Sequence, residues 1–214
     1  MNIRNILSKI KTKIYRVLHS TILFRFKYGV RVSKSVWEDE YQGKKWDFLF
    51  SEDEKEHYQV IINQVESVNN KPVILDIGCG PGVLYDYFNK ALKTEVNYKG
   101  IDISEVAINQ AKEKFPTGDF DAVDYDFENV SGKFNVVILN EALYYFVKPI
   151  KTLRKIVDEN LEKDGIMVIS MFKDAANKNE VLWQEVDEEF NVLKQQVVKN
   201  DKGVAWTIKT IAVK

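Results

Sequence analysis

The residues with the clearest chemical meaning are three glycines and an acid. Gly78, Gly80 and Gly82 follow an apolar run, Val73–Ile77, and precede residues with helical spacing. Glycines in a strand-to-helix turn let the backbone bend sharply and let a ligand lie directly against it. Asp76 stands two residues before the first glycine, where its carboxylate would repel a pyrophosphate. This loop therefore predicts a site for a nucleotide-like ligand that carries positive charge.

The glycine spacing also separates the loop from the dinucleotide-binding fingerprint. That fingerprint, G-x-G-x-x-G, would place a third glycine at position 83, where the sequence has valine. A nicotinamide-dependent oxidoreductase is consequently the less favoured class of enzyme. Cys79, inside the loop, is interpreted as a small packing residue rather than a nucleophile, because no histidine lies near it in the sequence.

Polar residues follow the next three apolar runs. Asp102 lies 24 residues after Gly78, and from there its carboxylate can accept hydrogen bonds from both hydroxyls of an adenosine ribose. Asp124 follows the third run and can accept a hydrogen bond from an exocyclic amine, and Asn140 ends the fourth run. Open α/β sheets bind ligands at the carboxyl ends of their strands, so we expect these side chains to share one site.

Short apolar runs alternate with helical stretches from residue 71 onward, which predicts βαβ units and a mostly parallel, doubly wound sheet. The expected strands are 73–77, 98–103, 120–123, 134–139 and 166–171, and the expected helices are 51–68, 83–92, 104–115, 151–161 and 180–186. Ser51 and Glu54 have the spacing of a capping box for the first of these helices. Two further runs, 190–199 and 203–213, predict a C-terminal antiparallel β-hairpin at one edge of a seven-stranded mixed α/β sheet.

These motifs resemble one enzyme family. D-I-G-C-G-P-G at 76–82, the acid at Asp102 and F-N-V-V-I-L-N-E-A-L-Y-Y-F at 134–146 are similar to the class I S-adenosylmethionine-dependent methyltransferases, over residues 36–214. The resemblance implies a Rossmann-like core at 71–214 preceded by a lid or cap segment at 36–70. It implies S-adenosylmethionine as cofactor and S-adenosylhomocysteine as product. Asn135 departs from the family pattern, which usually has aspartate there.

The same resemblance assigns roles to the cofactor-binding residues. The loop from Gly78 to Gly82 would lie along the methionine and ribose of the cofactor. Asp102 would hold the ribose, with Ile103 beside it in the same turn. The adenine would meet Asp124 and Tyr125, and Asn140 would lie near the methionine end. Asp76 is also counted among the cofactor-binding residues.

Methyl transfer is an in-line displacement at a sulfonium methyl group, so the protein mainly aligns the acceptor and excludes water. An alcohol or ammonium acceptor must also lose a proton, which requires a base. Glu141, next to Asn140, is the leading candidate, and Tyr144, Tyr145 and Asp47 could also face the acceptor. The alternative is that Glu141 is a carboxylate at a helix N-terminus, where the helix dipole favours it.

An aromatic stretch precedes the core. Trp37, Tyr41, Trp46 and Phe50 could form a lid whose rings stack on sugars, or an apolar seam that joins the N-terminal segment to the domain. W-E-D-E-Y-Q-G-K-K-W-D-F-L-F at 37–50 is similar to saccharide-modifying methyltransferases, including nodulation-type N-methyltransferases that act on amino sugars. We therefore expect methylation of an O or N atom of a small molecule, with a saccharide as a candidate. The alternative is an inactive S-adenosylmethionine-binding protein that acts through a partner.

Composition excludes several other classes. Among the 214 residues are 12 Phe, 10 Tyr and 4 Trp, too many for a disordered chain, and a single cysteine, which excludes a disulfide framework and indicates a reducing compartment. The acidic group Asp119, Asp121, Asp124 and Asp126 is interpreted as residues at a strand end rather than as a metal site, so no metal is expected. The sequence contains no run of 18 apolar residues, so it predicts no membrane-spanning helix.

The charge distribution singles out the N-terminus. Residues 1–35 carry nine Lys or Arg and no acid, and the apolar residues of 3–18 recur at helical spacing. This pattern predicts a basic amphipathic extension. Contact with an anionic membrane surface and packing against the domain both remain open, while nucleic-acid binding is disfavoured because no recognisable module accompanies the charge. The expected location is the cytoplasm, with peripheral contact at the inner membrane face as one alternative.

Overall fold

The computed structural model describes residues 27–68, 71–92, 96–173 and 178–214, together with positions 10, 11, 13, 14 and 18. Its α-helices in these ranges are α1 (Lys34–Gln42), α2 (Lys55–Val68), α3 (Val83–Leu92), α4 (Glu105–Lys114), α5 (Pro149–Glu159) and α6 (Lys178–Glu189). Its strands are β1 (Val73–Ile77), β2 (Asn97–Asp102), β3 (Asp119–Ala122), β4 (Phe134–Asn140), β5 (Leu161–Phe172), β6 (Phe190–Lys199) and β7 (Ala205–Val213). Short 3₁₀ turns occupy Asp47–Phe50, Glu52–Glu54 and Leu143–Tyr145.

The strands form one seven-stranded sheet in the order β3-β2-β1-β4-β5-β7-β6. β1 to β5 are parallel, and β7 runs antiparallel between β5 and β6. The predicted mixed sheet with a C-terminal hairpin at its edge is confirmed. The order reverses direction between β1 and β4, and the carboxyl ends of strands on either side of such a point frame a ligand crevice.

Alternation along the central strands divides the core into two layers. Ile74, Val136 and Ile138 face one apolar cluster, which includes residues of α2, α3 and α4. Leu75 and Val137 face the other, which includes residues of α5 and α6. Because successive strand residues point to opposite faces, these buried runs cover both sides of the sheet and confirm the doubly wound α/β architecture.

The start of α2 differs from the prediction. Ser51 makes no side-chain cap hydrogen bond, residues Glu52–Glu54 form a 3₁₀ turn, and the α-helix begins at Lys55. The predicted capping box is therefore wrong. It does not form because Glu54 is buried, with its carboxylate turned toward the His57 ring rather than back to the backbone of Ser51.

The bounds of α5 and β5 also differ from the prediction. The helix begins at Pro149 rather than at residue 151, and it ends at Glu159, so that β5 begins at Leu161 rather than at residue 166. Asn160 separates the two elements. Its buried side-chain amide donates to the carbonyl oxygens of Val130 (2.7 Å) and Gly132 (3.2 Å), so a tertiary contact ends the helix.

The segment 27–50 is attached to the carboxyl edge of the sheet. The Gly29 amide donates to the Val147 carbonyl at 3.1 Å, and the Val30 amide donates to the Tyr144 carbonyl at 2.7 Å. Glu38, on α1, accepts hydrogen bonds from the backbone amides of the first residues of α4 and from the Ser104 hydroxyl. These contacts place the N-terminal segment over the end of the sheet where the glycine loop lies.

The predicted basic amphipathic extension lies mostly outside the described residues. Positions 10, 11, 13, 14 and 18 are helical and all exposed, and the apolar ones are Ile10 (48% exposed), Ile14 (55%) and Leu18 (44%). Within the described ranges, no helix combines the length and apolarity needed to cross a bilayer. The division into 1–35 and 36–214 stays a prediction.

Candidate functional site

A cavity of about 430 Å³ opens at the carboxyl ends of β1, β2 and β4, within the usual range for small-molecule sites. Most of the residues predicted to bind the cofactor or accept the proton line it: Asp76, Gly78, Gly80, Asp102, Ile103, Asp124, Tyr125, Asn140 and Glu141. Gly82 does not line it. The topology thus brings together residues that lie up to 65 positions apart in the sequence.

The glycine loop has the backbone conformation that its composition predicts. Gly78, Gly80 and Gly82 have φ of 85°, 53° and 82°, a region that side chains with a Cβ rarely adopt. A Cβ on Gly78 would lie 2.8 Å from that of Ala142. A Cβ on Gly82 would instead press on the ring of Phe115 at 3.1 Å. Gly82 therefore permits packing behind the loop rather than contact with the cavity.

Asp102 connects the glycine loop to α4. Its Oδ2 accepts a hydrogen bond from the Gly80 amide (3.0 Å) and its Oδ1 accepts one from the Ser104 amide (2.8 Å). Burial raises the pKa of this carboxyl to about 6, opposed by those two hydrogen bonds. Each carboxylate oxygen can accept a further hydrogen bond, so Asp102 is fixed in orientation and still able to receive two hydroxyls.

Asp76 is the most deeply buried acid of the cavity, with 1% of its surface exposed. Its Oδ2 accepts a hydrogen bond from the Tyr98 hydroxyl, while Oδ1 is buried without a partner. Burial raises the pKa of Asp76 to about 7, opposed by the Tyr98 hydrogen bond and assisted by the charge of Asp102. An unpartnered buried carboxylate oxygen is costly, and a cationic ligand group would remove that cost.

Unpartnered acceptors are concentrated in this cavity. Among the described residues, five buried side-chain polar atoms lack a hydrogen-bond partner. One is Gln64 Nε2, and the other four are oxygens of cavity-lining residues: Asp76 Oδ1, Asp124 Oδ1, Asn140 Oδ1 and Glu141 Oε1. Folded proteins rarely leave such atoms unsatisfied. Their shared location therefore indicates a ligand rich in hydrogen-bond donors.

Glu141 has a strained backbone and a perturbed carboxyl. Its φ is 55°, in the left-handed region, and its amide donates to the Ser170 carbonyl at 2.9 Å. Its Oε2 accepts a hydrogen bond from the Tyr144 hydroxyl at 2.8 Å. Burial raises the pKa of Glu141 to about 8, opposed by the Tyr144 hydrogen bond and assisted by the charge of Glu54. The next α-helix along the chain begins at Pro149, so Glu141 does not lie in the first turn of an α-helix, as the alternative interpretation required.

Arg31 is a residue of the site that the sequence analysis missed. Its guanidinium pairs with Asp124 Oδ2 and, at 3.1 Å, with Asp126 Oδ2, and Arg31 itself lines the cavity. It lies 93 residues from Asp124, and no local pattern links the two. The other acids of the predicted cluster, Asp119 and Asp121, pair with Lys99, which explains the cluster as ion pairs.

Tyr125 lines the cavity but directs its hydroxyl into the core. The hydroxyl donates to Asn160 Oδ1 at 2.6 Å, and burial raises its pKa above the usual range. The proposed adenine contact of Tyr125 therefore cannot use the hydroxyl. Among the described residues, no group of three or more His, Cys, Asp or Glu has the arrangement of a metal site.

His57 and Glu54 were also missed. The His57 ring is 1% exposed; its Nε2 lies 2.7 Å from Ser170 Oγ and its Nδ1 lies 3.4 Å from Glu54 Oε2. The ring stacks on Trp206 at 4.6 Å between centroids. Burial lowers the pKa of His57, which keeps the ring neutral near pH 7. A lone histidine in a helix carried no motif that could have indicated this.

The aromatic stretch serves both as cavity wall and as packing surface. Trp37, Tyr41 and Trp46 line the cavity, and Trp37 meets the edge of Tyr145 at 4.9 Å between ring centroids. Phe50 and Asp47 do not line it. Phe50 packs against the core cluster and carries the Lys114 ammonium 3.1 Å above its ring. Asp47 lies in the 3₁₀ turn outside the cavity lining.

Comparisons with known proteins agree with this architecture. A family model described as a methyltransferase domain matches residues 68–210. A putative methyltransferase of Invertebrate iridescent virus 6 is 30% identical over 138 residues, which is 64% of this chain and 49% of the viral protein. The chain thus spans about half the length of that relative.

Solved structures share the fold. The N-methyltransferase NodS from Bradyrhizobium japonicum, in complex with S-adenosylhomocysteine, superposes with a TM-score of 0.64 at 16% identity, covering 81% of this chain and 98% of NodS. The 1,6-didemethyltoxoflavin-N1-methyltransferase of Burkholderia thailandensis gives 0.66 at 16% identity, covering 85% and 87%. With the family match over residues 68–210, the expectation from the glycine loop is confirmed: the chain belongs to the class I S-adenosylmethionine-dependent methyltransferases.

Proposed function

We propose that this protein transfers a methyl group from S-adenosylmethionine to an oxygen or nitrogen atom of a small-molecule acceptor. The observation that carries the proposal is the set of four unpartnered buried oxygens around one cavity beside the glycine loop. S-adenosylmethionine supplies an electrophilic methyl group on a sulfonium and presents an ammonium, two ribose hydroxyls and an adenine amine. The residues present fit these groups in number and in chemistry.

Each donor group of the cofactor has a matching acceptor in the chain. Asp76 accepts the ammonium, since its Oδ1 is buried without a partner. Asp102 accepts the ribose hydroxyls, held in place by the Gly80 and Ser104 amides. Asp124 accepts the adenine amine through Oδ1, with its other oxygen held by Arg31. Asn140 lies near the methionine end.

Glu141 is the proposed proton acceptor. It lines the same cavity as the cofactor residues, its carboxylate is held by the Tyr144 hydroxyl, and its pKa of about 8 places proton transfer close to neutral pH. The aromatic wall of Trp37, Trp46 and Tyr145 excludes water from the acceptor end and offers ring faces. These faces support the proposal that the acceptor is a saccharide or a saccharide intermediate.

Thermal unfolding with added ligands tests the cofactor assignment. S-adenosylmethionine and S-adenosylhomocysteine at 100 times their dissociation constants stabilise the folded state by about 2.7 kcal/mol, which raises Tm by about 5–10 °C for a chain of this size. NAD produces no rise. No rise with either S-adenosyl compound, in protein shown to be free of bound cofactor, would contradict the proposal. A rise with NAD alone would favour the oxidoreductase alternative.

Contact with an anionic membrane surface is a further part of the proposal. It is supported by the basic residues that precede Lys27 and by the absence of acids in residues 1–35, since Lys27, Arg31 and Lys34 pair with acids of the domain. The exposed side chains of Ile10, Ile14 and Leu18 at helical positions support it as well. Each Lys or Arg near such a surface is worth about 1 kcal/mol. Reversing the charge at Lys11 and Lys13 should therefore weaken binding to phosphatidylglycerol vesicles more than tenfold.

Vesicle co-sedimentation of the full chain provides the measurement. The matched control reverses the charge at Lys151 and Lys163, two exposed lysines outside the N-terminal extension, and should sediment like the unmodified protein. Equal sedimentation with phosphatidylglycerol and with phosphatidylcholine vesicles, or none with either, would contradict the membrane proposal and favour packing of the extension against the domain.

A further inference from the structure

The charges that line the cavity are unbalanced. Five carboxylates face it among the described lining residues, from Glu54, Asp76, Asp102, Asp124 and Glu141. The one guanidinium of the described lining, that of Arg31, is already paired with Asp124 and Asp126. The neutral His57 adds no charge. The cavity therefore has an excess of negative charge that a ligand of neutral or anionic character would leave uncompensated.

Two of these carboxylates, those of Glu54 and Glu141, are not among the proposed cofactor contacts, and they are linked to each other through His57 and Ser170. Ser170 connects them, because its hydroxyl lies 2.7 Å from His57 Nε2 and its carbonyl accepts the Glu141 amide at 2.9 Å. The other nitrogen of His57 faces Glu54. Burial is the main cause that raises the pKa of Glu141, and the charge of Glu54 acts in the same direction, as expected for two carboxyls that line one cavity of low dielectric.

Aromatic rings surround this pair. Tyr144 lies 5.7 Å from Phe172 and 4.5 Å from Tyr145 between ring centroids, and Trp206 stacks against His57. All of these rings line the cavity. Aromatic faces attract ammonium ions, and most strongly when water is excluded. The carboxylates and the aromatic ring faces together form an environment suited to a cation.

We propose that the acceptor is an amine that enters as an ammonium ion between Glu54, Glu141 and the surrounding rings. This inference rests on the proposed function and narrows its acceptor atom to nitrogen, amino sugars included. An ammonium ion relieves the repulsion between the two carboxylates. A hydroxyl group can accept or donate hydrogen bonds there but leaves the two negative charges of Glu54 and Glu141 uncompensated. An acidic acceptor would add a third negative charge.

The reaction balances with the groups present. The Glu141 carboxylate takes one proton from the ammonium and becomes a neutral acid, which leaves a neutral amine. The nitrogen lone pair then forms a bond to the methyl carbon as the bond between that carbon and the sulfonium sulfur breaks. The products are an N-methylammonium ion and a neutral thioether, and the proton on Glu141 returns to solvent.

Three matched probes test this inference on the full chain saturated with S-adenosylhomocysteine. Benzylamine, benzyl alcohol and benzoate share one ring and differ in charge at neutral pH. Calorimetric titration should find benzylamine bound about tenfold or more tightly than benzyl alcohol, with benzoate weakest. Glu141→Gln and Glu54→Gln should each remove most of this preference, while Glu66→Gln, an exposed position on α2, the helix that follows the turn carrying Glu54, should retain it.

The outcomes distinguish a failure of the proposed function from a failure of the amine inference alone. Failure of the unmodified protein to bind S-adenosylhomocysteine overturns the proposed function and this inference with it. Binding of S-adenosylhomocysteine with benzyl alcohol or benzoate preferred over benzylamine, or with none of the three bound, overturns the amine inference alone. Retained affinity of each variant for S-adenosylhomocysteine shows that it has folded, so that an unchanged preference in Glu141→Gln also counts against the inference.

Discussion

Glu141 lies at the junction between β4 and the next turn with a φ of 55°. A non-glycine residue held in this region costs about 1–2 kcal/mol, and such strain is commonly found at functional sites. The same residue carries a carboxyl whose pKa is raised to about 8 by burial. Strain and a proton affinity close to the working pH in one cavity-lining residue both support its assignment as proton acceptor.

Replacement of Glu141 by glutamine should separate catalysis from cofactor binding. We expect kcat to fall about 10²–10⁴-fold, the usual contribution of a general base, with the affinity for S-adenosylhomocysteine changed less than about threefold, because Asp76 and Asp102 are untouched. Turnover and calorimetric binding provide the two measurements. Glu162→Gln, exposed at the start of β5, is the control.

The pH dependence provides a second test of the same residue. A base acts in its deprotonated form, so the rate of the unmodified protein should rise with pH through the pKa of Glu141, about 8, and this rise should be absent from the residual activity of Glu141→Gln. A rate independent of pH between 6 and 9, or full turnover by the variant, would exclude Glu141 as the base. Cofactor binding without any turnover by the unmodified protein would favour the inactive alternative.

At the level of elements, the site depends on how the segment 27–50 joins the core. The backbone of Gly29 and Val30 bonds to residues 147 and 144, and Arg31 follows at once to hold Asp124. Glu38 caps α4, which begins directly after the Asp102 turn. The segment therefore positions two of the proposed cofactor residues without itself belonging to the sheet.

Gly29→Ala should detach this segment locally. A Cβ at Gly29 would clash with the carbonyl oxygen of Phe146 and lie 2.8 Å from that of Tyr144, so the backbone must move and Arg31 with it. We expect the affinity for S-adenosylhomocysteine to fall about tenfold, because the unpaired Asp124 loses its orientation, at a cost of about 1–2 kcal/mol. Calorimetric titration measures the change.

Gly165→Ala is the matched control. Its Cβ would also be crowded, at 2.8 Å from Leu161 Cδ1, but this position adjoins the start of the paired part of β5, where Ile166 lies beside Val136 of β4, at the opposite end of the sheet. It should lower Tm without changing cofactor affinity. Equal affinities for Gly29→Ala and the unmodified protein would show that the segment does not position Asp124.

How much of this the sequence predicts varies by element. β1, the glycine loop and α3 follow their predicted bounds because glycine, apolar runs and helical spacing act locally there. The start of α2 was wrong because Glu54 finds a partner in the folded protein. Arg31 and His57 were missed because their partners lie 93 and 113 residues away, and only the assembled sheet edge brings them together.

Among the described residues, the buried acids Glu54, Asp76 and Asp102 all line the cavity at one edge of the sheet. Two apolar clusters cover the faces of the sheet, while the carboxyls of Asp76, Asp102 and Glu141 are buried around the cavity, each with a pKa raised by burial, to about 7, 6 and 8. Without a ligand, burial makes the ionised forms of these groups less favourable than they are in water. The folded protein therefore carries a cost of ionisation that the proposed cofactor and acceptor would offset.

This cost predicts how stability changes with pH. A carboxyl whose pKa is higher in the folded than in the unfolded state contributes stability below its unfolded pKa and loses it as pH rises through its folded pKa. The ligand-free protein should therefore lose unfolding free energy from about pH 4 to pH 8. Between pH 4 and pH 8 the unfolding free energy of Asp76→Asn should fall by about 1–2 kcal/mol less than that of the unmodified protein. This value is set below the full effect of the pKa shift, since one pKa unit corresponds to about 1.4 kcal/mol.

Urea unfolding at a series of pH values measures this effect. Asp158→Asn, an exposed position on α5, is the control and should follow the unmodified protein. An unfolding free energy that rises between pH 5 and pH 8, or an Asp76→Asn curve parallel to that of the unmodified protein, would show that Asp76 is not held in the folded state with a raised pKa.

The central claim is that the four unpartnered oxygens at the carboxyl edge of the sheet belong to a cofactor site. A crystal structure of the full chain with S-adenosylhomocysteine tests it most directly. The account predicts the ligand beside the glycine loop, with its ribose hydroxyls on Asp102, its ammonium on Asp76 Oδ1 and its adenine amine on Asp124. A ligand bound elsewhere, or bound in this cavity with Asp76 and Asp102 making no contact to it, would contradict the account.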